Sequence, residues 1–146
     1  MEKHRDAVAA ELLPRFANAP ANVHISLPRT IANAHRMHLG DDVWLGPNSF
    51  LLALERYPGA PLRHPDHRKN LQTFEPRLTI GNRVTATAAL QISVHVEVTI
   101  EDDVLFASNV FISDGTHGYE NATEPYKYQP CGHLAPVTIK RGSWIG

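Results

Sequence analysis

Two residues in a polar stretch of the sequence have types and a spacing that suit acid–base chemistry. His117 follows Asp114 by three residues. A histidine side chain has an unperturbed pKa close to neutral pH, so it can take the proton of a hydroxyl group that attacks a carbonyl carbon. A nearby carboxylate can hold the imidazole in one tautomer. The simpler alternative is a solvated loop histidine that follows an aspartate in a turn.

The overall composition excludes functions that depend on a strong electrostatic field of one sign. In a chain of 146 residues, 15 acidic side chains nearly cancel 14 basic ones, which speaks against a globally basic nucleic-acid-binding protein. The single cysteine, Cys131, excludes an internal disulfide framework and favours a reducing compartment. No apolar segment has the form of a signal peptide or the length of a membrane span. We therefore expect a soluble, cytoplasmic protein.

A repeat with a period of six residues organises most of the chain. Apolar residues recur at every sixth position and group into sets of up to three hexads. Three hexads can form one turn of a triangular coil, in which each hexad supplies a short strand and a corner, and its apolar residue points inward. The sets are Ile25 and Ile31; Leu39, Leu45 and Leu51; Ile80, Ala86 and Ile92; Ile100, Phe106 and Ile112; and Ile139 and Ile145.

The irregular steps of this repeat all fall after the last hexad of a set. The step is eight residues at two of these points, and 29 and 27 residues at the other two. All insertions therefore leave from one corner, as is typical of repeat proteins. The pattern predicts an all-β fold, a parallel β-helix. An antiparallel sandwich is the alternative, but the hairpin turn dipeptides that it needs are missing.

The remaining segments divide the chain further. Apolar residues within residues 5–16 have a loosely helical spacing, which predicts a short helical cap in residues 1–22, with a frayed tail as the alternative. Residues 23–146 then form the β-helix domain. Two polar loops, residues 55–77 and 113–135, interrupt this domain. Loops of such length inside a compact repeat usually carry function.

The hexads and the second loop together resemble the hexapeptide-repeat acetyltransferases, and most closely the branch that O-acetylates polysaccharide, lipopolysaccharide or capsule sugars. The resemblance covers residues 23–146 and is carried by Ile112-Ser-Asp-Gly-Thr-His-Gly-Tyr119 and by Pro136-Val-Thr-Ile-Lys-Arg-Gly-Ser-Trp-Ile-Gly146. It implies a left-handed parallel β-helix that uses acetyl-CoA as co-substrate and holds no metal. It also implies a homotrimer with each active site between two subunits.

The same resemblance implies roles for individual residues. The catalytic base of the family maps onto His117, with Asp114 as the candidate for the residue that orients its ring. Trp144 is similar to the tryptophan of the family near which the CoA arm runs. An oxyanion-stabilising backbone N–H from a neighbouring coil is expected as well.

Further residues are candidates for contact with the acceptor sugar. Tyr119, Tyr126 and Tyr128 can stack on a sugar ring or simply fix the loop. Because Ile92 and Ile112 are one coil apart, His95 is expected under Gly115, where it either lines the site or stands exposed at the corner. We include Tyr119 and His95 in the predicted substrate-binding set.

Three other functions stay open. Lys140 and Arg141 replace the Gly-Asp that the family usually has, and the chain ends at Gly146 within a coil where relatives continue, so a non-catalytic solenoid is one alternative. Transfer to an amino group of a nucleotide-linked sugar is another, although residues 1–22 are too few for a nucleotide-binding domain. A zinc enzyme similar to the γ-class carbonic anhydrases is the third, with ligands from His95, His117 and His133.

Overall fold

A computed structural model of the protein describes Lys3, residues 12–66 and residues 70–146. In this part of the chain the backbone forms short strands and three 3-10 helices, none of them long and apolar enough to cross a membrane. The helices are Ala34–Arg36, Ala60–Leu62 and Tyr126–Tyr128. The strands are β1 (His24–Ile25), β2 (Arg29–Ala32), β3 (Met37–Leu39), β4 (Trp44–Leu45), β5 (Ser49–Ala53), β6 (Arg56–Tyr57), β7 (Gln72–Thr73), β8 (Arg77–Ile80), β9 (Thr85–Ala86), β10 (Gln91–Val94), β11 (Glu97–Ile100), β12 (Leu105–Phe106), β13 (Phe111–Ser113), β14 (Thr116–His117), β15 (Cys131–Gly132), β16 (Val137–Ile139) and β17 (Trp144–Ile145).

Three parallel sheets form the three faces of a β-helix. The strand order is β1-β4-β9-β12-β17 in the first sheet, β2-β5-β10-β13 in the second and β3-β8-β11-β16 in the third. Every strand pair within these sheets is parallel. The chain visits the first, second and third sheet in turn and then begins the next coil. The predicted parallel β-helix is confirmed, and the antiparallel sandwich is excluded.

The register of the sheets places the hexad residues in three inward columns, as predicted. Side chains alternate between the two faces of a strand, so the outward neighbours of these residues face away from the core. Removal of the stacked aliphatic groups from water is the main favourable contribution to folding. The columns are Ile25, Leu45, Ala86, Phe106 and Ile145 in the first sheet, Ile31, Leu51, Ile92 and Ile112 in the second, and Leu39, Ile80, Ile100 and Ile139 in the third.

A left-handed backbone conformation recurs at the corners, three residues after the inward residue of a hexad. Asparagine and aspartate adopt positive φ more readily than other L-residues, and they occupy four of these corners. The residue that follows, such as Val43 or Val104, turns inward and is buried. The corner residues of this kind are Asp42, Asn48, Arg83, Ala89, Asp103, Asn109 and Gly142.

Both long loops leave the β-helix from the corner between the second and third sheets, as predicted. The first insertion comprises residues 54–76, between β5 and β8, and contains the antiparallel pair β6–β7. The second insertion comprises residues 114–136, between β13 and β16, and contains the antiparallel hairpin β14–β15. The predicted bounds, 55–77 and 113–135, differ by one residue because the adjoining residues belong to β8 and β13.

Gln72 of the first insertion is hydrogen-bonded to the second insertion. The side-chain amide of Gln72 donates to the carbonyl oxygen of Cys131 at 3.1 Å and accepts from the backbone N–H of Cys131 at 2.8 Å. The two bonds reproduce the pattern by which one strand pairs with another. This Gln72 bridge joins β7 to β15, so the two insertions form one structured unit beside the β-helix.

The segment before β1 covers the N-terminal end of the apolar core. Phe16 is buried in the core, and Leu13 packs against it. Asn18 donates to the carbonyl oxygen of Leu39 at 2.6 Å and accepts from its N–H at 3.0 Å. Of the helix predicted within residues 5–16, residues 5–11 lie outside the described part of the chain, and residues 12–16 are not helical.

Replacement of Phe106 by alanine tests the inward stacking. The Phe106 side chain is fully buried between Ala86 and Ile145, whereas its neighbour Leu105 is 45% exposed. We expect Phe106→Ala to lower the free energy of unfolding by about 3–5 kcal/mol, because it leaves a cavity that the rigid coils cannot close. Leu105→Ala is the matched control, with an expected loss below about 1 kcal/mol. Urea unfolding measures both, and equal losses would contradict the assigned register.

Candidate functional site

A mostly apolar cleft of about 470 Å³ lies where the two insertions meet the second sheet. Its floor is formed by outward residues of neighbouring coils, among them Leu52, Ser93 and Ser113. The insertions supply the sides, so the cleft exists only because both loops leave from the same corner. Clefts of this size with a few convergent polar groups are typical ligand sites.

His117 lies at this cleft on strand β14, with an exposed ring. Antiparallel pairing with Cys131 on β15 fixes its backbone, and the next residue, Gly118, donates its N–H to the carbonyl oxygen of Pro130 at 2.9 Å. The ring nitrogen Nδ1 lies 3.1 Å from the hydroxyl of Tyr57. The histidine predicted as the base is therefore held by the hairpin on one side and by the first insertion on the other.

Tyr57 can set the tautomer of the His117 ring. Burial raises the pKa of Tyr57, with a smaller contribution from Cys131, so the hydroxyl keeps its proton at neutral pH. That proton can be donated to the carbonyl oxygen of Lys127, 3.4 Å away. The Tyr57 oxygen then accepts from Nδ1–H of His117, which leaves Nε2 with a free lone pair. This arrangement presents His117 as a proton acceptor.

Asp114 does not orient His117, and the predicted pair is wrong in this respect. The Asp114 side chain is buried and faces the preceding coil, where Oδ1 lies 3.0 Å from Nδ1 of His95. Its two oxygens also accept the backbone N–H groups of residues 95, 96 and 97, at 2.6–2.7 Å. All the hydrogen bonds of this carboxylate are thus used to close the corner at residues 95–97. Gly115 and Thr116, the two residues between Asp114 and His117, carry the chain away from that corner.

His95 is buried under Gly115, as the hexad spacing predicts, and lines the cleft. The exposed corner histidine that was the alternative is not found. A Cβ atom added at Gly115 would lie 3.1 Å from Nδ1 of His95 and 2.4 Å from Leu134, so the close contact requires glycine there. The ring of Phe74 packs edge-on against His95, with centroids 5.5 Å apart.

The environment of His95 stabilises its charged form. The hydrogen bond with Asp114, followed by one with Cys131, raises the pKa of His95 to about 9 although burial opposes the charge. Burial also opposes ionisation of Asp114, but hydrogen bonds from the ring and N–H of His95, and then from the next two N–H groups, hold its pKa below the ordinary value. The pair is therefore an imidazolium and a carboxylate at neutral pH.

The remaining predicted site residues lie outside the cleft. Tyr119 is exposed and stacks on His133, with ring centroids 4.9 Å apart. Tyr126 is exposed, and Tyr128 packs edge-on against His64. Trp144 is exposed on β17 in the first sheet, whereas the cleft lies on the second sheet.

The three histidines of the zinc alternative have separate partners. His95 pairs with Asp114 and His117 with Tyr57, while Nε2 of His133 lies 2.7 Å from Oε1 of Glu120. Across the residues that the structure describes, no group of three His, Cys, Asp or Glu side chains is placed to hold a metal ion.

The fold has a counterpart among solved structures. The chain superimposes on a crystal structure of a mutant of AntD, an N-acyltransferase from Bacillus cereus, in complex with dTDP and coenzyme A, with a TM-score of 0.61 and 17% sequence identity. The match covers 88% of this chain and 60% of that chain, so this protein spans less than two thirds of the length of AntD. No protein-family model and no curated protein matches the sequence. At this level of identity the likeness shows the fold alone, a left-handed parallel β-helix.

A pH titration tests the His95–Asp114 pair. Because folding raises the pKa of His95 from its ordinary 6.5 to about 9, folding takes up a proton between these two values. The resulting stability is fully present below pH 6.5 and is lost as the pH rises through about 9. We expect the free energy of unfolding to fall by roughly 1–3 kcal/mol more in the native protein than in His95→Gln over this range. Parallel curves for the two proteins, or an NMR pKa for His95 near 6.5, would contradict the pairing.

Proposed function

We propose that the protein is an acyl-CoA-dependent acyltransferase that moves an acetyl group from acetyl-CoA to a sugar hydroxyl, with His117 as general base. The observation that carries the proposal is a histidine at an apolar cleft whose Nδ1 contacts the hydroxyl of Tyr57, an arrangement in which Nε2 can act as the base. The shared fold with AntD, an N-acyltransferase whose structure contains coenzyme A, supports the choice of donor.

In the proposed reaction, His117 first accepts a proton and later donates it. Nε2 removes the proton of the acceptor hydroxyl while its oxygen attacks the thioester carbonyl carbon. The tetrahedral intermediate collapses with cleavage of the carbon–sulfur bond, and the CoA thiolate recovers the proton from Nε2. The hydrogen-bonded series from His117 through Tyr57 to the Lys127 carbonyl stabilises the imidazolium that exists between these steps.

His95 lines the cleft whereas its partner Asp114 does not, so the ion pair presents its positive end to the cleft. Nδ1 of the His95 ring is bound to Asp114, and the buried carboxylate is itself held by backbone N–H groups. A positive group held in this way stabilises negative charge that develops on the carbonyl oxygen. We therefore assign His95 an electrostatic role in the reaction and Asp114 the role of its positioning residue.

The proposal also includes a homotrimer and a position for the CoA arm. Phe111 lies at the cleft with an exposed side chain, and Trp144 is 72% exposed. In a homotrimer, a neighbouring subunit would cover such surfaces, and the CoA arm would run near Trp144. We propose this arrangement for a cytoplasmic enzyme that modifies a polysaccharide or its precursor.

An amino sugar linked to a nucleotide is the second candidate acceptor. It is favoured by the likeness to AntD, which is an N-acyltransferase and was crystallised with dTDP. The same His117 can take a proton from the ammonium group before attack, or from the amine nitrogen once it has attacked, so the geometry of the base suits both acceptors. Product mass distinguishes them when neutral and amino sugars are offered side by side.

Replacement of His117 by alanine tests the proposed base. We expect acetyl transfer from acetyl-CoA to a panel of sugars and amino sugars, followed by product mass spectrometry, to fall by about 10²–10⁴-fold because the proposed general base is removed. Binding of acetyl-CoA, measured by calorimetry, should stay unchanged.

His133→Ala is the matched control, since His133 also lies on the second insertion but pairs with the exposed Glu120. It should keep its activity. Full transfer by His117→Ala would favour a non-catalytic role for this histidine, and absence of acetyl-CoA binding by the native protein would favour the non-catalytic solenoid.

Tyr57→Phe tests the positioning of His117. The change removes the hydroxyl that accepts from Nδ1, so Nε2 is the free nitrogen in only part of the population. We expect kcat to fall on the order of tenfold with an unchanged KM for acetyl-CoA, because the tyrosine acts through the base. The pH at which kcat is half-maximal should shift as well. Tyr126→Phe, on an exposed tyrosine, is the control, and equal kinetics for the two variants would refute the assigned role.

A further inference from the structure

A second cleft of about 350 Å³ lies in the first insertion, next to the one that contains His117. Tyr57 lines both clefts, and its hydroxyl points to His117. The second cleft has an apolar part formed by Pro58 and Leu71 and a polar part that contains Arg56 and Arg63. A ligand that extends past Tyr57 can therefore occupy both clefts.

The two arginines differ from most other described arginines in their lack of a partner. Within residues 12–66 and 70–146, neither Arg56 nor Arg63 forms an ion pair or a side-chain hydrogen bond, and no acidic side chain lines their cleft. By contrast, Arg36 pairs with Glu55, and Arg83 and Arg141 pair with Asp103. Two guanidinium groups are thus left to bind an external anion.

The backbone that carries these arginines is well supported. Arg56 lies on β6 opposite Thr73 of β7, and the N–H of Phe74 donates to the carbonyl oxygen of Glu55 at 2.9 Å. The N–H of Arg63 donates to Ala60, which closes a helical turn. The Gln72 bridge then connects this strand pair to the hairpin that carries His117. The positions of the guanidinium groups and of the base are therefore linked through one structured unit.

We propose that Arg56 and Arg63 bind an anionic group, a phosphate or a carboxylate, on the acceptor sugar while its reacting hydroxyl or amine lies at His117. This inference rests on the proposed acyl transfer and specifies its acceptor as a charged sugar derivative. The planar guanidinium group matches the oxygens of either anion with two parallel hydrogen bonds.

Calorimetric titration of the full chain at low salt tests the site. The probes are glucose 1-phosphate, glucuronate and neutral glucose, and acetyl-CoA is titrated separately. We expect Arg56→Gln combined with Arg63→Gln to weaken binding of one or both anionic sugars by at least about tenfold, because charge-assisted bonds are lost. The control is Arg77→Gln, which removes one positive charge from an exposed position on β8 outside both clefts. Added salt should weaken the native binding in the same way.

Each outcome has a defined meaning. Preference for glucose 1-phosphate or for glucuronate, lost in the double variant and kept in Arg77→Gln, supports the site and names the anion. Equal binding by the native protein and the double variant, or no binding of either anion, overturns it. Loss of acetyl-CoA affinity in the double variant, with the sugars unaffected, also overturns it, because the arginines would then hold phosphates of the donor. Arginine-dependent sugar binding without any acetyl-CoA binding would refute the proposed transfer and leave the anion site intact.

Discussion

Each coil must return its chain to the same three inward columns, and this requirement shapes the rest of the molecule. The inward residues of neighbouring coils stack directly, so a coil that gained one residue within a hexad would turn its apolar side chain outward. Corners such as Asp42 and Asn109 tolerate no extra residue for the same reason, because their positive φ is needed at a fixed point. In the described coils, the additional chain lies at the corner between the second and third sheets. Both insertions and the cleft are consequences of this restriction.

The fold was predictable because its pattern is local and repeated. The spacing from Leu39 to Leu45 to Leu51 already contains the period, and the register of every sheet follows from it. The position of His95 beneath Gly115 could be derived by the same counting. The N-terminal cap was harder to predict. Residues 12–16 cover the core in a non-helical conformation, which a helical spacing of apolar residues does not reveal.

The contacts inside the cleft join residues that the repeat does not relate, so they could be predicted only in part. His117 was predicted as a site residue from a family resemblance, but its partner Tyr57 is 60 residues away on another insertion, and no repeat relates the two. Asp114 was assigned to the nearer histidine in sequence. The structure pairs it with His95 because a carboxylate at that corner can accept three backbone N–H groups of the preceding coil at once. Proximity along the chain is a poor guide where coils stack.

The Gln72 bridge has an evolutionary consequence. It contacts only the backbone of Cys131, so the residue on the opposite insertion can change its side chain without breaking the connection. This part of the junction is therefore insensitive to the side chain at position 131, whereas the Tyr57–His117 contact and the His64–Glu124 ion pair need both of their side chains. A lineage built on this scaffold can diversify the first loop and keep the junction as long as Tyr57, His64 and Gln72 are retained.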